Sequence, residues 1–436
     1  MTQTRPTLDL AGIGVGPFNL SLAALADGVP GLATAFFERD AAFSWHPGLG
    51  FDGSVMQTSY LKDLVTPVQP TSRWSFVNFL VTHGRFYDFM AGRFGTVTRR
   101  EFTDYMAWVA DKLPQTRFGA PIERVEHDGN GFRLTTAAGE TWQSRALSIG
   151  TGQVPRVPEF APLGPDCLHG VDYLTLCPGT ADRRVAVVGG GQTGAEIVLD
   201  LLSRPDRPRE ITWISRRDAF WELQEGGLID QIYTPAYRRA YRSMPARQQG
   251  KALESQKYSS DGLTPQTADA LYAALYRQHH LGGGTVARLR PGRTVTGIER
   301  AFRSFRLTAR TDCGGAEQST ADIVVLATGF RPEVPACLTP IRHRLGIETS
   351  GALALGEDYR VLWDGPETTP IYGLNHGRRS HGIVDPQLSL TAWRSATILE
   401  DLCGRPIFDA LRHPSQGLVD WDMAPTAPPT LELRSA

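Results

Sequence analysis

Gly14-Val15-Gly16-Pro17-Phe18-Asn19 follows the apolar residues 8–13 and precedes a run of helix-forming residues. A second stretch, Gly189-Gly190-Gly191-Gln192-Thr193-Gly194, follows the apolar residues 184–188 in the same way. In both places the glycines lie between a strand-like and a helix-like segment, as a dinucleotide-binding βαβ unit requires. The sequence therefore predicts an α/β fold with two Rossmann-like dinucleotide-binding domains and a small substrate region of helices and loops.

The bulk composition is that of an ordinary globular protein. The chain has 436 residues, of which 41% are apolar and 21% charged, and its net charge is -1. This balance gives no electrostatic reason to bind nucleic acid or an anionic membrane. No apolar run approaches the roughly 20 residues of a membrane span, and the first residues lack an apolar leader. We therefore expect a cytoplasmic protein without nucleic-acid or membrane partners.

The five cysteines are scattered, and no two of them form a CxxC pair. Isolated, reduced thiols are therefore expected, which argues against a disulfide reductase. We also find no convincing pattern of metal ligands, so no metal is expected.

The first glycine turn is followed by a carboxylate. Glu38 ends the second apolar strand, where an acid accepts the ribose hydroxyls of an adenosine and repels a 2′-phosphate. The one departure from the usual fingerprint is Asn19, which replaces the third glycine. The first unit therefore suits FAD or NAD.

The second glycine turn has no acid at the equivalent position. Ser215-Arg216-Arg217 stands there instead, and a hydroxyl with two cations suits the 2′-phosphate of NADPH. The contrast predicts FAD in the first unit and NADPH in the second.

The domain boundaries follow from this order. We expect residues 1–165 and 331–436 to form the FAD-binding domain with substrate-binding loops. Residues 180–330 would form the NADPH-binding domain, with a helical insert at about 220–282. The tripeptides Gly150-Thr151-Gly152 and Ala327-Thr328-Gly329 would mark where the chain crosses between domains. We expect the tail after residue 422, rich in Pro, Ala and Thr, to be poorly ordered.

Six stretches together resemble the motifs of one family. The chain is similar to the flavin-dependent N-hydroxylating monooxygenases of microbial siderophore biosynthesis, which act on lysine, ornithine or diamines, and it is most similar to the lysine-hydroxylating branch. Phe330 departs from the pattern, since the family carries a tyrosine there. The resembling stretches are 14–22, 44–48, 56–64, 188–196, 322–330 and 381–390.

The resemblance implies a reaction and its partners. NADPH would reduce FAD, the reduced flavin would add O2 to form a C4a-hydroperoxide, and a primary amine would attack the distal oxygen. A free lysine amine has a pKa near about 10.4 and is protonated at pH 7, so the site must favour the neutral amine by desolvation. The expected partners are a small primary amine and O2, and a homo-oligomer, either a dimer or a tetramer, is expected.

The resemblance also implies roles for individual residues. Gln57 would lie beside the flavin ring, and Lys62 would hold the substrate carboxylate. Asp230 falls where ornithine hydroxylases carry an asparagine near the substrate, and Ser389 would lie near substrate and flavin. The candidate cofactor-binding residues, taken from the same motifs and the two turns, are Gly14, Gly16, Asn19, Glu38, Trp45, His46, Gln57, Gly189, Gly191, Gln192, Thr193, Gly194, Ser215, Arg216, Arg217, Thr328, Gly329 and Leu388.

The substrate stays open at this point. Lys62 favours L-lysine, because an α-carboxylate needs a cation. The alternatives are a diamine (cadaverine or putrescine), which has no carboxylate, and then L-ornithine. A Baeyer–Villiger or sulfide-oxidising monooxygenase is disfavoured, because its F-x-G-x-x-x-H-x-x-x-W stretch is absent. A flavin-binding redox sensor without enzymatic activity is the remaining alternative.

Overall fold

The computed structural model describes residues 6–282, 286–412 and 418–421. The tail after residue 422, for which we predicted poor order, lies outside these ranges.

The described residues contain strands, α-helices and short 3₁₀ helices, joined by loops. The strands are β1 Leu8–Ile13, β2 Thr34–Phe37, β3 Thr116–Arg117, β4 Ile122–His127, β5 Phe132–Thr136, β6 Thr141–Ile149, β7 Val154–Pro155, β8 Cys167–His169, β9 Arg184–Val188, β10 Glu210–Ile214, β11 Val286–Arg290, β12 Arg293–Ala301, β13 Ser304–Thr311, β14 Ala316–Ala321, β15 Ile323–Leu326, β16 Phe330–Arg331 and β17 Ile371–Gly373. The α-helices are α1 Pro17–Ala26, α2 Phe76–Thr82, α3 Phe86–Gly92, α4 Arg99–Lys112, α5 Tyr173–Leu176, α6 Gln192–Ser203, α7 Pro235–Ser243, α8 Ala246–Ser255, α9 Pro265–His280, α10 Arg378–His381, α11 Thr391–Cys403 and α12 Asp409–Arg412. Short 3₁₀ helices cover Pro47–Leu49, Gly170–Asp172, Ile229–Tyr233, Lys257–Ser259, Ala336–Arg344 and Leu388–Leu390.

The first unit is built on a sheet in the order β3-β2-β1-β6-β5-β4. β1 is parallel to both β2 and β6, while β4, β5 and the first half of β6 form an antiparallel meander. The second half of β6 pairs with β17, which the chain adds much later. Helix α1 is buried along almost its whole length, because it packs against α11, α4 and β2.

The second unit is built on five parallel strands in the order β11-β10-β9-β15-β8. All four residues of β15 are buried, as expected for a parallel strand covered on both faces. The antiparallel strands β12, β13 and β14 form a separate sheet. Its apolar side packs against residues of β15 in one hydrophobic cluster. Helices α7, α8 and α9 lie between β10 and β11, and this part of the chain is called the insert below.

The chain crosses between the two units at the predicted tripeptides. β7 follows the first tripeptide and β16 follows the second, and the two short strands pair with each other. Two further hydrogen bonds join the crossings, from the amide of Arg156 to the carbonyl of Gly329 (2.9 Å) and from the hydroxyl of Thr328 to the carbonyl of Arg156 (2.5 Å). The second unit is therefore attached through two adjacent segments.

Asn19 stands where the usual fingerprint has its third glycine. A glycine there lets helix and strand pack closely, whereas the side chain of Asn19 hydrogen-bonds to the turn. Its side chain is fully buried, and Nδ2 donates to the carbonyls of Ile13 (3.2 Å) and Gly14 (2.7 Å). Its Oδ1 accepts the hydroxyl of Ser148 on β6 (2.5 Å). Asn19 thus ties helix α1 to the ends of β1 and β6.

We predict that Asn19→Ala destabilises the first unit. The substitution leaves two carbonyls and one hydroxyl without their buried partner, which costs roughly 1–3 kcal/mol. Urea unfolding of the FAD-free chain measures the loss, with Asn130→Ala at an exposed position as the control. Equal stability of the two variants would contradict this role of Asn19.

Candidate active site

The first glycine turn has the geometry of a pyrophosphate site. Gly14 has φ +85°, and a Cβ there would lie 2.6 Å from the carbonyl oxygen of Gly150. Helix α1 begins directly after Gly16. Its first residue, Pro17, has no N–H, so the amides of Phe18 and Asn19 are the free donors at this helix end. Such an end attracts anions, and the turn therefore fits a dinucleotide.

Glu38 lies beside this turn. Its carboxylate accepts the amides of Val15 and Arg39, both at 2.8 Å, and that of Asp40 (3.2 Å). A carboxylate has about four lone-pair sites, so acceptor capacity remains for ribose hydroxyls. The position fits the adenosine half of FAD.

A cavity of about 1150 Å³ opens at the second glycine turn. It lies between residues 189–193 of the turn, residues 260–262 of the insert and residues 375–379 of the C-terminal part. Gly189 has φ +132°, and a Cβ there would lie 2.0 Å from the carbonyl oxygen of Ala327. A Cβ on Gly191 would meet no atom within 4 Å. The turn is therefore tight against β15 and open towards the cavity.

The cavity carries an excess of positive charge, which suits the phosphates of NADPH. Arg217 donates to the carbonyl of Asp261 (2.6 Å), and Arg378 pairs with the carboxylate of Asp261 (3.3 Å). Arg216 is exposed and enters no ion pair among the described residues, so its guanidinium is free for a ligand. The charged lining residues are Arg156, Arg216, Arg217, Arg293, Arg378, Arg379, Asp261 and Glu348.

Two histidines of the cavity lining are held uncharged. His169 accepts the amide of Val171 (3.2 Å) and donates to the carbonyl of Gly329 (3.1 Å), and burial lowers its pKa. His376 accepts the amide of Leu353 (3.2 Å), and burial lowers its pKa to about 4. Both rings therefore fix backbone segments at neutral pH.

The loop that carries Gln57 and Lys62 is anchored by Asp63. This buried carboxylate accepts the amides of Val65 (2.9 Å), Thr66 (2.6 Å) and Phe76 (2.7 Å). Burial raises the pKa of Asp63, and these donors oppose the shift. Gln57 is exposed and lines the cavity, whereas Lys62 is half-buried and does not line it.

The C-terminal motif joins this loop through Ser389. The hydroxyls of Thr58 and Ser389 lie 3.4 Å apart. Leu388 packs against the core of the first unit. His46 has φ +50°, and its ring lies 5.9 Å from the rings of both Trp45 and Phe330. The structure thus brings the stretches 56–64 and 381–390 into contact, and it places the stretch 44–48 against Phe330 of the stretch 322–330.

Asp230 does not join this group. It is exposed on the short helix Ile229–Tyr233 of the insert and does not line the cavity. Burial and the charge of Asp230 together raise the pKa of Glu225, so the insert presents two neighbouring acids.

The cavity also contains residues that the sequence interpretation missed. Gln153 donates to the side-chain carbonyl of Asn375 (3.4 Å), and both line the cavity with Gln57. Asn375 has φ +63°, an uncommon conformation outside glycine. The only local signal was the position of Gln153 directly after a crossing tripeptide.

Within the described ranges, no group of three or more His, Cys, Asp or Glu side chains could hold a metal ion. None of the helices there is long and apolar enough to cross a membrane.

Comparison with known proteins identifies the family. Residues 6–332 match the model of the L-lysine 6-monooxygenase/L-ornithine 5-monooxygenase family. The chain belongs to this family. It is 35% identical to the L-lysine N6-monooxygenase of Escherichia coli, over 96% of this chain and 99% of that protein.

Two solved structures are also similar. The FAD-bound cadaverine monooxygenase of the desferrioxamine pathway of Erwinia amylovora aligns with a TM-score of 0.86 and 28% identity, over 98% of this chain and 99% of that one. The ornithine N-hydroxylase of Kutzneria, with reduced FAD, NADP+ and L-ornithine, aligns with a TM-score of 0.84 and 28% identity, over 92% and 99%.

These likenesses confirm the predicted fold class of two Rossmann-type units. The protein is an NADPH-dependent flavin N-monooxygenase that uses FAD. The roles of the individual site residues remain predictions.

We predict that Arg216→Ala weakens binding of NADPH selectively. A charge-assisted hydrogen bond to phosphate is worth roughly 1.5–3 kcal/mol, and exposure reduces this, so KM for NADPH should rise about tenfold. KM for NADH should change less than about twofold, because NADH lacks the 2′-phosphate. Initial rates with both nucleotides test this, with Arg306→Ala on β13 as the control. An unchanged preference would mean that the phosphate is held elsewhere.

Proposed function

We propose that this enzyme hydroxylates the N6 amine of L-lysine for the biosynthesis of a hydroxamate siderophore. The observation that carries the proposal is the anchored loop 57–64, which contacts the segment of Ser389 through Thr58 and holds Lys62 half-buried. The identity to a lysine N6-monooxygenase over nearly the whole chain supports the same substrate.

Lys62 would recognise the α-carboxylate of the amino acid. The ion pairs among the residues that the structure describes do not include Lys62, so its ammonium is available. The four donors on Asp63 restrain the backbone on its C-terminal side. A lysine on a restrained backbone loses less freedom on binding than one on a flexible loop. A carboxylate bound there would fix one end of the substrate.

The distal amine must be neutral to react, so the protein has to desolvate it. Tyr60 is two residues from Lys62, and its ring packs 5.0 Å from Phe89 and 5.6 Å from Phe76. An apolar wall of this kind lowers the pKa of an amine and excludes water. Trp74, a further aromatic residue of this region, is buried in the core and donates to Asp27 (2.9 Å).

The cofactors would occupy the two turns. FAD would lie at Gly14, Gly16 and Glu38, with its ring near Gln57. NADPH would lie at residues 189–193, with its 2′-phosphate at Ser215, Arg216 and Arg217. When bound, they supply a hydride donor and a flavin that activates O2; the residues named here bind, orient and shield the reactants. The same placement of the cofactors supports a FAD-binding domain formed by residues 1–165 and 331–436 and an NADPH-binding domain formed by residues 180–330.

A cytoplasmic location and a homo-oligomer stay predictions.

The main alternative substrate is a diamine, either cadaverine or putrescine. The likeness to a cadaverine monooxygenase over 98% of the chain favours it. The neighbouring acids Asp230 and Glu225 on the insert would suit a second ammonium group. L-ornithine is the remaining alternative, because a hydroxylase of that amino acid is similarly related.

Product analysis with four amines distinguishes these substrates. Hydroxylamine formation is measured with L-lysine, L-ornithine, cadaverine and putrescine at equal concentration, together with NADPH consumption and peroxide release. NADPH consumption alone is insufficient, because uncoupled turnover also consumes it. We expect L-lysine to give the highest kcat/KM for hydroxylamine. Product from cadaverine but not from L-lysine would contradict the proposal.

We predict that Lys62→Ala raises KM for L-lysine by about tenfold or more, the cost of roughly one charge-assisted hydrogen bond. KM for cadaverine should change less than about twofold, since cadaverine has no carboxylate. Lys112→Ala, at the exposed end of α4, is the matched control. Equal changes in KM for both amines would exclude Lys62 from carboxylate recognition.

A further inference from the structure

A segment of the first unit is embedded in the second. Leu49 and Phe51 are buried in the core formed by Tyr173, Val185 and their neighbours, and the rings of Phe51 and Tyr173 lie 5.7 Å apart. A Cβ on Gly48 would lie 2.0 Å from the carbonyl oxygen of Val171, so the two backbones touch here. The segment 48–51 is therefore packed into the core of the second unit, although the chain returns to the first unit directly afterwards.

A buried carboxylate follows this apolar contact. Glu196 on α6 is 6% exposed. Its Oε1 accepts the hydroxyl of Ser54 (3.1 Å), Nη2 of Arg99 (3.3 Å) and Nε2 of Gln192 (3.0 Å). Ser54 and Arg99 belong to the first unit, whereas Gln192 belongs to the second glycine turn. One oxygen atom thus joins the two units.

The hydrogen bonds continue on both sides of Glu196. On one side, Oε1 of Gln192 accepts the amide of Thr264 (2.8 Å), and its Nε2 donates to the hydroxyl of Thr267 (2.8 Å), so the insert is included. The path therefore reaches from the turn proposed to hold NADPH into the insert that closes the cavity.

On the other side, the path reaches the flavin-side loop. The amide of Arg99 donates to the carbonyl of Ser54 (2.7 Å), and the amide of Met56 donates to the carbonyl of Val97 (2.8 Å). Met56 directly precedes Gln57. A displacement of α6 would therefore shift Met56, and with it Gln57, which we place beside the flavin.

The ion pair of Arg99 and Glu196 is largely buried, so its stability depends strongly on the distance between the two side chains. The side chains of Arg99 and Glu196 are only 20% and 5% exposed. A buried carboxylate that loses its cation is strongly destabilised. Ser54 and Arg99 both donate to Glu196 from the first unit, and few relative positions of the two units satisfy both of these hydrogen bonds. The contact at Glu196 therefore favours one relative position of the units.

We propose that Glu196 is a positioning residue that couples NADPH binding at the second glycine turn to the loop of Gln57 through Arg99 and Ser54. The inference rests on the proposed cofactor sites and goes beyond them, because Glu196 itself would contact neither cofactor. Its function is to hold the two units in the register that hydride transfer requires.

Glu196→Gln tests the proposal, since it keeps the shape of the side chain and removes its charge. Hydrogen exchange of residues 54–62 is measured in the FAD-loaded enzyme with and without NADP+. In the unmodified enzyme NADP+ should slow this exchange; in the variant the slowing should shrink by roughly two- to thirtyfold. The dissociation constant of NADP+ should stay within about twofold.

The rate of flavin reduction by NADPH gives a second readout that needs no amine. It should fall by roughly two- to thirtyfold in Glu196→Gln, with KM for NADPH unchanged. Glu210→Gln is the matched control, because Glu210 pairs with Arg288 (3.3 Å) within the second unit only; it should behave like the unmodified enzyme. These measurements do not depend on which amine is the substrate.

Two further variants separate positioning from general stability. Arg99→Gln should reproduce the effect of Glu196→Gln, and the double variant should be no worse than either single one, because both act through one contact. Ser54→Ala leaves both charges in place and should reduce the effect of NADP+ on exchange and the rate of flavin reduction to a smaller extent. It replaces Glu196→Gln in the test if that variant does not fold. Unchanged exchange and reduction rates, additive effects, or a loss of NADP+ affinity as large as the loss of rate would overturn the proposal.

Discussion

The structure depends on one close approach that occurs twice. In each unit a glycine turn presses against the residue that follows the neighbouring parallel strand, Gly14 against Gly150 and Gly189 against Ala327. Those two contacted residues also begin the crossings between the units. The turns and crossings therefore meet at the carboxyl ends of the strands, where ligands bind in open α/β sheets. This constraint brings the two proposed cofactor sites towards each other.

The chemistry of the site follows from this arrangement. FAD and NADPH supply the redox reactions, so the protein needs no metal or nucleophile of its own. His169 and His376 of the cavity lining are neutral and hold backbone segments in place. Positive charge is found where anionic groups are proposed to bind. The arginines of the cavity would meet the phosphates of NADPH, and Lys62 would meet the substrate carboxylate. The family is established by the match along the chain, while the proposed choice of amine rests on a few residues of one loop.

Sequence alone predicted the parts of this protein that are encoded locally. The turns, Glu38, Ser215-Arg216-Arg217 and both crossings each have a short signature, and the structure has strands and helices where these signatures require them. Local patterns could not indicate that Asn19 bonds to two strands or that Glu196 meets Arg99, because those contacts join distant segments. Asp230 was assigned by resemblance, and the conformation of the insert leaves it outside the cavity lining.

A structure of the enzyme with FAD and NADP+ bound is the most direct test of this account. We expect the FAD pyrophosphate at the amides of Phe18 and Asn19, and the adenosine ribose at Glu38. The 2′-phosphate of NADP+ should lie within hydrogen-bond distance of Arg216, inside the cavity of the second turn. A 2′-phosphate bound away from Ser215, Arg216 and Arg217, or FAD at the second turn, would contradict the assignment of the two sites.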